Sequence, residues 1–182
     1  MLRRHACLAI LCCTLLGTTI ALAQTTLETV KSRGKLVCGV NTGLAGFATV
    51  GPDGKWHGFD VDYCRALAAA IFNEADKVEF RPLTTQTRFT ALQAKEIDVL
   101  SRNTTWTLNR DTSLGLNFSV TLFYDGQGLM VPAKSQVQSA KSLDGATICV
   151  QSGTTTELNL ADDLRRLKLK FTPVVFDRKS VE

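Results

Sequence analysis

The stretch from Arg88 to Arg110, RFTALQAKEIDVLSRNTTWTLNR, predicts three successive pieces of structure. Apolar residues recur near helical spacing from Phe89 to Ile97, which indicates an amphipathic helix. Residues 98–100 then indicate a short strand that enters an apolar core, and a polar loop follows and ends in Arg110. A helix followed by a buried strand is typical of α/β proteins.

Hydrogen-bonding side chains fill the loop after this strand, among them Asn103, Thr105 and Arg110. In open α/β sheets, small ligands bind at the carboxyl ends of the strands. An arginine there can hold a planar carboxylate through two parallel, charge-assisted hydrogen bonds. The stretch by itself is equally compatible with an exposed polar loop, so a ligand site is one of two open interpretations.

The first 23 residues have the composition of a secretory signal peptide. Arg3 and Arg4 precede an apolar run from Ala6 to Ala23, which ends in an Ala-Leu-Ala cleavage motif before Gln24. No later stretch of the sequence is apolar for the roughly 20 residues that a membrane helix needs. We therefore expect a signal peptide at residues 1–23 and export to the periplasm, with a retained membrane anchor as the weaker alternative.

Three cysteines follow the predicted cleavage site: Cys38, Cys64 and Cys149. Their spacing matches no metal-ligand pattern such as C-x-x-C, so we expect neither a zinc site nor another cofactor. Buried free thiols that pack as small hydrophobic residues are the favoured interpretation of Cys38 and Cys64. An exported protein can also form disulfides, and a Cys38–Cys64 bridge is the alternative.

The charge balance gives no electrostatic case for nucleic-acid binding. Removal of Arg3 and Arg4 from 21 basic residues leaves 19, against 17 acidic ones, which is a formal net charge of +2. A protein that binds nucleic acid through phosphate contacts would carry a larger excess of basic residues. We therefore expect no nucleic-acid partner.

Strand and helix patterns alternate along the mature chain, which predicts an α/β fold with a mostly parallel sheet. Asp60 or Asp62 is suited to cap the helix that begins near Val61. The predicted helices, apart from the one after Arg88, span residues 27–33, 61–72 and 158–167, and the other predicted strands span residues 35–40, 78–83, 146–150 and 171–176.

Gly153, Thr154 and Thr155 follow one predicted strand and begin the next helix. The first turn of a helix has unpaired N–H groups and a partial positive charge, so an anionic ligand group can bind there. Thr154 and Glu157 also have the spacing of a capping box, which is the purely structural interpretation. The two interpretations are compatible, because a capping hydroxyl can also contact a ligand.

Taken together, these segments resemble the polar amino-acid-binding proteins of bacterial ABC importers, which are family 3 solute-binding proteins of the two-lobed, type II periplasmic class. The similarity is greatest to general L-amino-acid-binding proteins. It covers nearly all of the chain from Gly34 onward, and its longest ordered motifs are DVLSRNTTWTLNRD and CVQSGTTTELNLAD. Further matching segments are CGVNTGLAGF, GFDVDYCRALAAAIF and YDGQGLMV.

The resemblance implies a type II periplasmic binding protein fold, an α/β architecture of two lobes with mostly parallel sheets. Lobe one is expected at residues 24–124, a hinge or crossing segment at residues 125–131 and lobe two at residues 132–182. Chains of this family continue well beyond the position of Glu182. We therefore expect the second lobe to be incomplete and amino-acid binding by this chain alone to be weak.

The resemblance also implies roles for particular residues. In such proteins an arginine shortly after the polar loop of lobe one binds the α-carboxylate of the ligand, and the matching residue here is Arg110. Loop residues at the strand end help to bind the α-ammonium and α-carboxylate groups, and here these are Asn103 and Thr105. The helix start of lobe two also binds the carboxylate, through Thr154 and Thr155 in this chain.

Three positions depart from the family pattern. The loop after the first strand usually offers an acidic residue and an aromatic one, but the matching positions hold Asn41 and Leu44. Thr85 replaces an aromatic residue that stacks on the ligand side chain. A cationic ligand side chain would prefer a carboxylate and an aromatic face. The departures therefore favour a pocket of broad specificity, with Asn41 among its ligand-binding residues.

The resemblance implies a periplasmic binding protein that delivers L-amino acids to the membrane permease of an ABC importer. We expect it to act as a monomer, without a cofactor and without enzymatic activity. Two alternatives are a periplasmic enzyme on the same fold, similar to cyclohexadienyl dehydratase, and the sensor domain of a receptor. An enzyme needs an acid or base in the cleft, and ligand titration without product formation separates it from a binding protein.

Overall fold

The structure, a computed structural model, describes residues 25–177. The predicted signal peptide at residues 1–23 and the last five residues of the predicted second lobe, 178–182, lie outside the described residues. Within the described part of the chain, no helix is both long enough and apolar enough to cross a membrane.

Two groups of elements correspond to the two predicted lobes. Lobe one contains α1 (Thr26–Arg33), β1 (Leu36–Asn41), β2 (Thr49–Val50), β3 (Trp56–His57), α2 (Phe59–Phe72), β4 (Val78–Leu83), α3 (Arg88–Gln93), β5 (Val99–Leu100) and α4 (Leu108–Thr112). Lobe two contains a 3-10 helix (Ala140–Leu143), β6 (Ala146–Gln151), α5 (Thr155–Arg166) and β7 (Phe171–Phe176). The predicted strands at residues 78–83 and 171–176 have the observed bounds.

The sheet of lobe one is built around β1, whose six residues are all buried. β1 pairs in parallel with β4 on one side and with β5 on the other. Buried residues of β1 and α2 form its main core, including Val40 and Val61. β2 and β3 form a separate antiparallel hairpin, joined by residues 51–55. The prediction of an α/β fold with parallel sheets is confirmed.

A disulfide joins Cys38 on β1 to Cys64 on α2. The favoured interpretation of these residues as free thiols is therefore wrong, and the alternative bridge is correct. Both residues lie in the core with no exposed surface, where strand and helix bring them within bonding distance. Cys149 is free and exposed on β6.

The helix ends follow the local chemistry of the sequence, with one exception. Thr25 and Glu28 form a capping box at the start of α1, and Gly34 ends this helix in the left-handed conformation. α2 instead begins after Gly58, and no side chain caps it. The expectation that Asp60 or Asp62 caps α2 is therefore wrong, because the helix begins earlier and both residues lie in its first turn.

Lobe two, as described, is a parallel pair of strands covered by one helix. β6 and β7 pair over their full lengths, and α5 packs on β6 through Leu160 and Leu164. Residues 114–139 connect the lobes without a helix or strand, and this segment contains exposed apolar side chains such as Tyr124 and Met130. The predicted crossing segment at residues 125–131 lies within it, and the exact lobe boundaries stay a prediction.

Replacing both Cys38 and Cys64 with alanine should lower the free energy of unfolding by about 2–4 kcal/mol. The reason is that the bridge joins residues 26 positions apart and so restricts the unfolded chain. Denaturant unfolding measures the change. Cys149→Ala, at the exposed free thiol, is the control and should change stability by no more than about 0.5 kcal/mol. Equal unfolding midpoints for the double variant and the control would contradict the bridge.

Candidate functional site

The parallel sheet brings the ends of β1 and β5 to the same edge. Asn41 is the last residue of β1, and its Nδ2 donates a hydrogen bond of 2.8 Å to Oδ1 of Asn103, which follows β5. Asn41 Oδ1 accepts the N–H of Gly43 at 3.0 Å, which fixes the orientation of the amide. β4 and β5 lie on opposite sides of β1, so the strand order reverses at β1, the type of position where open α/β sheets bind ligands.

Arg110 lies within the short helix α4, not at the end of a loop as the sequence pattern predicted. Thr107 caps this helix by accepting the N–H of Arg110 at 3.3 Å. The helix turns the guanidinium inward, where Nη1 donates to the carbonyl oxygen of Thr105 at 2.7 Å and the group lies 5.2 Å from the ring centre of Phe89. Arg110 is buried, so its position is set by the protein before any ligand binds.

The helix start of lobe two faces this loop. The hydroxyls of Thr105 and Thr155 lie 3.1 Å apart, within hydrogen-bonding distance. Thr154 caps α5, because its hydroxyl accepts the N–H of Glu157 at 3.1 Å and donates to the carbonyl oxygen of Gln151 at 2.7 Å. The Glu157 carboxylate binds the N–H of Gly153 at 2.9 Å, one residue before the position that a capping box would use.

The predicted ligand-binding residues therefore lie in one region of the molecule. Asn103, Thr105, Arg110, Thr154 and Thr155 line a cleft of about 2090 Å³ between the lobes. Asn41 lines an adjoining cavity of about 190 Å³. The cleft is larger than the roughly 300–1,000 Å³ of a typical small-molecule pocket. Its lining also includes residues of the irregular segment between the lobes, such as Phe118, Tyr124 and Met130.

Arg88 is a cleft residue that the sequence patterns did not identify as part of the site. It is 2% exposed, and its Nη1 lies 3.2 Å from the Thr104 hydroxyl and 3.4 Å from the carbonyl oxygen of Asn103. Its Nη2 donates to the carbonyl oxygen of Gly153 in lobe two at 3.4 Å. Its burial could have been predicted from helical spacing. Arg88 lies three residues before Ala91, so the two residues share the buried face of α3.

Arg102 is a second such residue. It is 8% exposed, its Nε donates to the carbonyl oxygen of Leu83 at 3.2 Å, and its Nη2 donates to the Thr85 hydroxyl at 3.2 Å. The negative charge of Asp60, on the first turn of α2, raises the pKa of Arg102 in opposition to burial. The sequence patterns placed Arg102 in the polar loop but gave no sign that its side chain turns inward.

Burial shifts the pKa values of all these charged groups. It lowers the pKa of Arg88 to about 9, with added repulsion from Arg102 and Arg110, and it lowers the pKa of Arg102 to about 10. Burial also lowers the pKa of Arg110 and raises the pKa of Asp60 to about 6, where Arg102 opposes the rise. The three arginines therefore stay positively charged at neutral pH.

No ion pair among residues 25–177 includes Arg88, Arg102 or Arg110. A buried charge without a partner of opposite sign is costly. The part of the cleft that these three arginines line therefore favours an anionic group. The same part of the chain contains no cluster of three or more His, Cys, Asp or Glu side chains that could hold a metal ion.

Two α/β lobes with a polar, positively charged cleft between them define a two-lobed ligand-binding protein. The chain belongs to the bacterial extracellular solute-binding proteins, family 3, whose family model matches residues 36–179.

Individual relatives are similar over most of this chain. The general L-amino acid-binding periplasmic protein AapJ of Rhizobium johnstonii is 58% identical over 86% of this chain and 46% of its own length. The glutamate/glutamine/aspartate/asparagine-binding protein BztA of Rhodobacter capsulatus is 54% identical over 85% of this chain and 46% of its own length. The chain thus spans about half the length of these relatives.

A solved structure shows the same arrangement of elements. The periplasmic binding protein of an ABC transporter from Brucella ovis, solved with glutathione bound, superposes with a TM-score of 0.82 at 57% sequence identity. The match covers 86% of this chain and 49% of that chain. The predicted type II periplasmic binding protein fold and the predicted family are confirmed.

Asp60→Asn should stabilise the protein more at pH 7 than at pH 4, and the difference should reach about 3 kcal/mol. The folded-state pKa of Asp60, about 6, lies above its ordinary value of 3.8, so ionisation of this group opposes folding. The cost is absent below about pH 4, develops as the pH rises to about 6 and is complete above that value. The asparagine side chain cannot ionise, so the variant does not have this cost in free energy.

Denaturant unfolding of the wild type and Asp60→Asn between pH 4 and pH 8 measures this difference. Asp62→Asn, which removes an exposed carboxylate from the same helical turn, is the control for loss of one negative charge. Parallel stability curves for the wild type and Asp60→Asn would show that the Asp60 carboxyl group is not held in its neutral form by burial.

Proposed function

We propose that this protein binds L-amino acids in the cleft between its lobes and delivers them to the membrane permease of an ABC importer. In this proposal Arg110 binds the α-carboxylate of the ligand. Asn103 and Thr105 contribute hydrogen bonds from lobe one, and Thr154 and Thr155 contribute hydrogen bonds from the helix start of lobe two.

The observation that carries the proposal is the burial of Arg110 without an acidic partner. Its guanidinium is fixed by a neutral carbonyl group and lies beside an aromatic ring, so its charge is uncompensated within the described residues. A guanidinium has five N–H donors in a planar fork that matches a carboxylate. The α-carboxylate is the anionic group that all L-amino acids share. A site that binds this group can therefore accept amino acids with different side chains.

The arrangement of the lobes supports closure on the ligand. Thr105 and Thr155 meet across the cleft, and Arg88 of lobe one binds the carbonyl oxygen of Gly153 in lobe two. Binding proteins that close around a ligand exclude water from it, which strengthens the hydrogen bonds and charge interactions inside. A ligand that touches both lobes favours the closed arrangement by the free energy of these contacts.

The relatives support the ligand class and the partner. AapJ is named as a general L-amino acid-binding periplasmic protein, and BztA is named for glutamate, glutamine, aspartate and asparagine. The Brucella ovis structure is described as an ABC transporter periplasmic binding protein. By this similarity we propose that the protein acts in the periplasm with a membrane permease as its partner. We also propose that it is a monomer.

We propose that the protein has no enzymatic activity. The relatives named above are binding proteins, and none of them supports the dehydratase-like alternative. Asp98, an acid that precedes the polar loop, accepts hydrogen bonds from Arg33 and from the N–H of Val37. Asp60 is buried in the cleft with a pKa near neutrality, so a test of function has to include a search for product.

The test is calorimetric titration of the purified protein, expressed from its complete gene, with a panel of L-amino acids, their D-enantiomers and glutathione. We expect binding of several L-amino acids, weaker binding of the D-enantiomers and recovery of unchanged ligand by chromatography. Glutathione belongs in the panel because the Brucella ovis protein carries it. Absence of binding to every L-amino acid, or conversion of a ligand to product, would refute the proposal.

Arg110→Lys should weaken L-amino acid binding by about 1.5–3 kcal/mol, which is the contribution of a hydrogen bond to a charged group. Lysine keeps the charge but loses the planar pair of donors. Titration with alanine measures the change, since this ligand offers little beyond its α-groups. Arg166→Lys, at an arginine whose side chain is 78% exposed on α5, is the matched control and should bind as the wild type does. Unchanged affinity in Arg110→Lys would remove Arg110 from the site.

A further inference from the structure

Arg102 has hydrogen-bond donors that residues 25–177 leave unused. Its Nε binds the Leu83 carbonyl oxygen and its Nη2 binds the Thr85 hydroxyl, but its Nη1 is buried with no hydrogen-bond partner among the described residues. A guanidinium has five N–H donors, and each Nη atom carries two of them. An unpartnered, buried donor on a charged group is costly, so its persistence suggests that a ligand satisfies it.

Thr85 provides a second free donor at the same place. Its hydroxyl oxygen accepts one hydrogen bond from Arg102 Nη2 at 3.2 Å and another from Gln151 Nε2, across the cleft, at 3.0 Å. A hydroxyl oxygen has two acceptor sites, so both are occupied and its own O–H is left to donate. Thr85 is 4% exposed, which shields this hydrogen from bulk water. Arg102 and Thr85 thus present two adjacent donors and no free acceptor.

The charges around Arg102 favour an anion. Arg88 is close enough for its pKa to be lowered by the charge of Arg102. Asp60 is the acid whose charge acts on Arg102, yet Asp60 Oδ2 is buried and has no hydrogen-bond partner among residues 25–177. Asp177 lines the adjoining cavity of about 190 Å³ together with Arg102, but its Oδ1 accepts a hydrogen bond from Gln86 at 3.1 Å. No acidic side chain among the described residues forms an ion pair with Arg102, so Asp60 offsets its charge only in part.

The position suits the far end of an amino acid whose α-carboxylate lies at Arg110. Arg102 lines both the large cleft and the adjoining cavity of about 190 Å³. Thr105, whose carbonyl oxygen holds Arg110, follows Arg102 by three residues, so their Cα atoms lie no more than about 11 Å apart. The two carboxyl carbons of glutamate are four bonds apart, or roughly 5 Å. Two long arginine side chains can bind both ends of such a ligand.

We propose that Arg102 is a specificity-determining residue, and that its Nη1 and the Thr85 hydroxyl bind the terminal carboxylate of a dicarboxylic L-amino acid. This inference rests on the proposed function, because it assigns the side-chain end of the same ligand. Both donors meet an acceptor when the ligand ends in a carboxylate. A carboxamide offers one oxygen and directs its NH₂ at the second donor, and an apolar or cationic side chain satisfies neither donor.

The test compares glutamate, glutamine, leucine and alanine as ligands of the wild type, Arg102→Met and Thr85→Val, each expressed from the complete gene. The wild type should bind glutamate about 10-fold or more tightly than glutamine or leucine. Arg102→Met, which keeps the length of the side chain without its donors, should weaken glutamate binding about 10- to 100-fold, the range of a charge-assisted hydrogen bond. Thr85→Val should weaken glutamate binding less, because it removes a neutral donor.

Alanine separates failure of this inference from failure of the proposed function. It engages the α-groups alone, so its affinity in each variant should stay within about 3-fold of the wild type and show that the variant is folded. Arg81→Met, at an arginine whose side chain is 59% exposed on β4, is the matched control and should bind all four ligands as the wild type does.

Four outcomes would overturn the inference. If glutamate and alanine affinities fall by the same factor in both variants, Arg102 and Thr85 have a structural role without specificity. If the wild type binds alanine but does not prefer glutamate, or if both variants keep that preference, the inference fails while the proposed function stands. If the wild type binds none of the four amino acids, the proposed function fails and this assignment fails with it.

Discussion

Parallel pairing of β1 with β4 and β5 is the constraint on which the site depends. Parallel strands end at the same edge of a sheet, so the chain segments that leave these three strands must meet there. The Asn41–Asn103 hydrogen bond joins the end of β1 to the loop after β5. The bond from Arg102 to the Leu83 carbonyl oxygen joins that loop to the end of β4. Residues about sixty positions apart in sequence thereby become parts of one surface.

This edge of the sheet holds its positive charges with neutral groups. The guanidinium groups of Arg88, Arg102 and Arg110 each donate to a backbone carbonyl oxygen, and these carbonyls belong to Asn103, Leu83 and Thr105 respectively. A carbonyl dipole orients a guanidinium but does not cancel its charge. The side chains are therefore ordered while the cleft keeps an attraction for anions. An acidic side chain in an ion pair with each guanidinium would have fixed the same geometry and removed that attraction.

The loops that carry this charge also form the contact between the lobes. Thr85 binds Gln151, Thr105 meets Thr155, and Arg88 reaches the Gly153 carbonyl oxygen. A ligand that binds the charged groups therefore lies where the two lobes meet. Closure of the lobes at this contact would enclose the ligand. This arrangement couples ligand binding to the relative position of the lobes, because the same residues take part in both.

The sequence by itself determined the elements and much of the site. Sequence patterns placed β4 and β7 at their observed bounds and predicted the end of α1 at Arg33, and local chemistry predicted the cap of α5 at Thr154. These features depend on residues a few positions apart, so they can be predicted from the sequence without knowledge of the tertiary structure. The resemblance to a known family added the residues of the polar loop and of the second helix start, and the structure brings these together in one region.

Tertiary structure decided which charged side chains turn inward. The sequence patterns placed Arg88 at the start of an amphipathic helix, Arg102 in a polar loop, and Asp60 as one of two candidate helix caps. All three residues are buried. Arg88, Arg102 and Asp60 flank the ends of the strands, where β1, α2 and α3 pack together. The Cys38–Cys64 bridge was likewise settled by packing, since it depends on how α2 lies on β1. Burial and the neighbours of a charge are properties of distant chain segments in contact, and no local pattern encodes them.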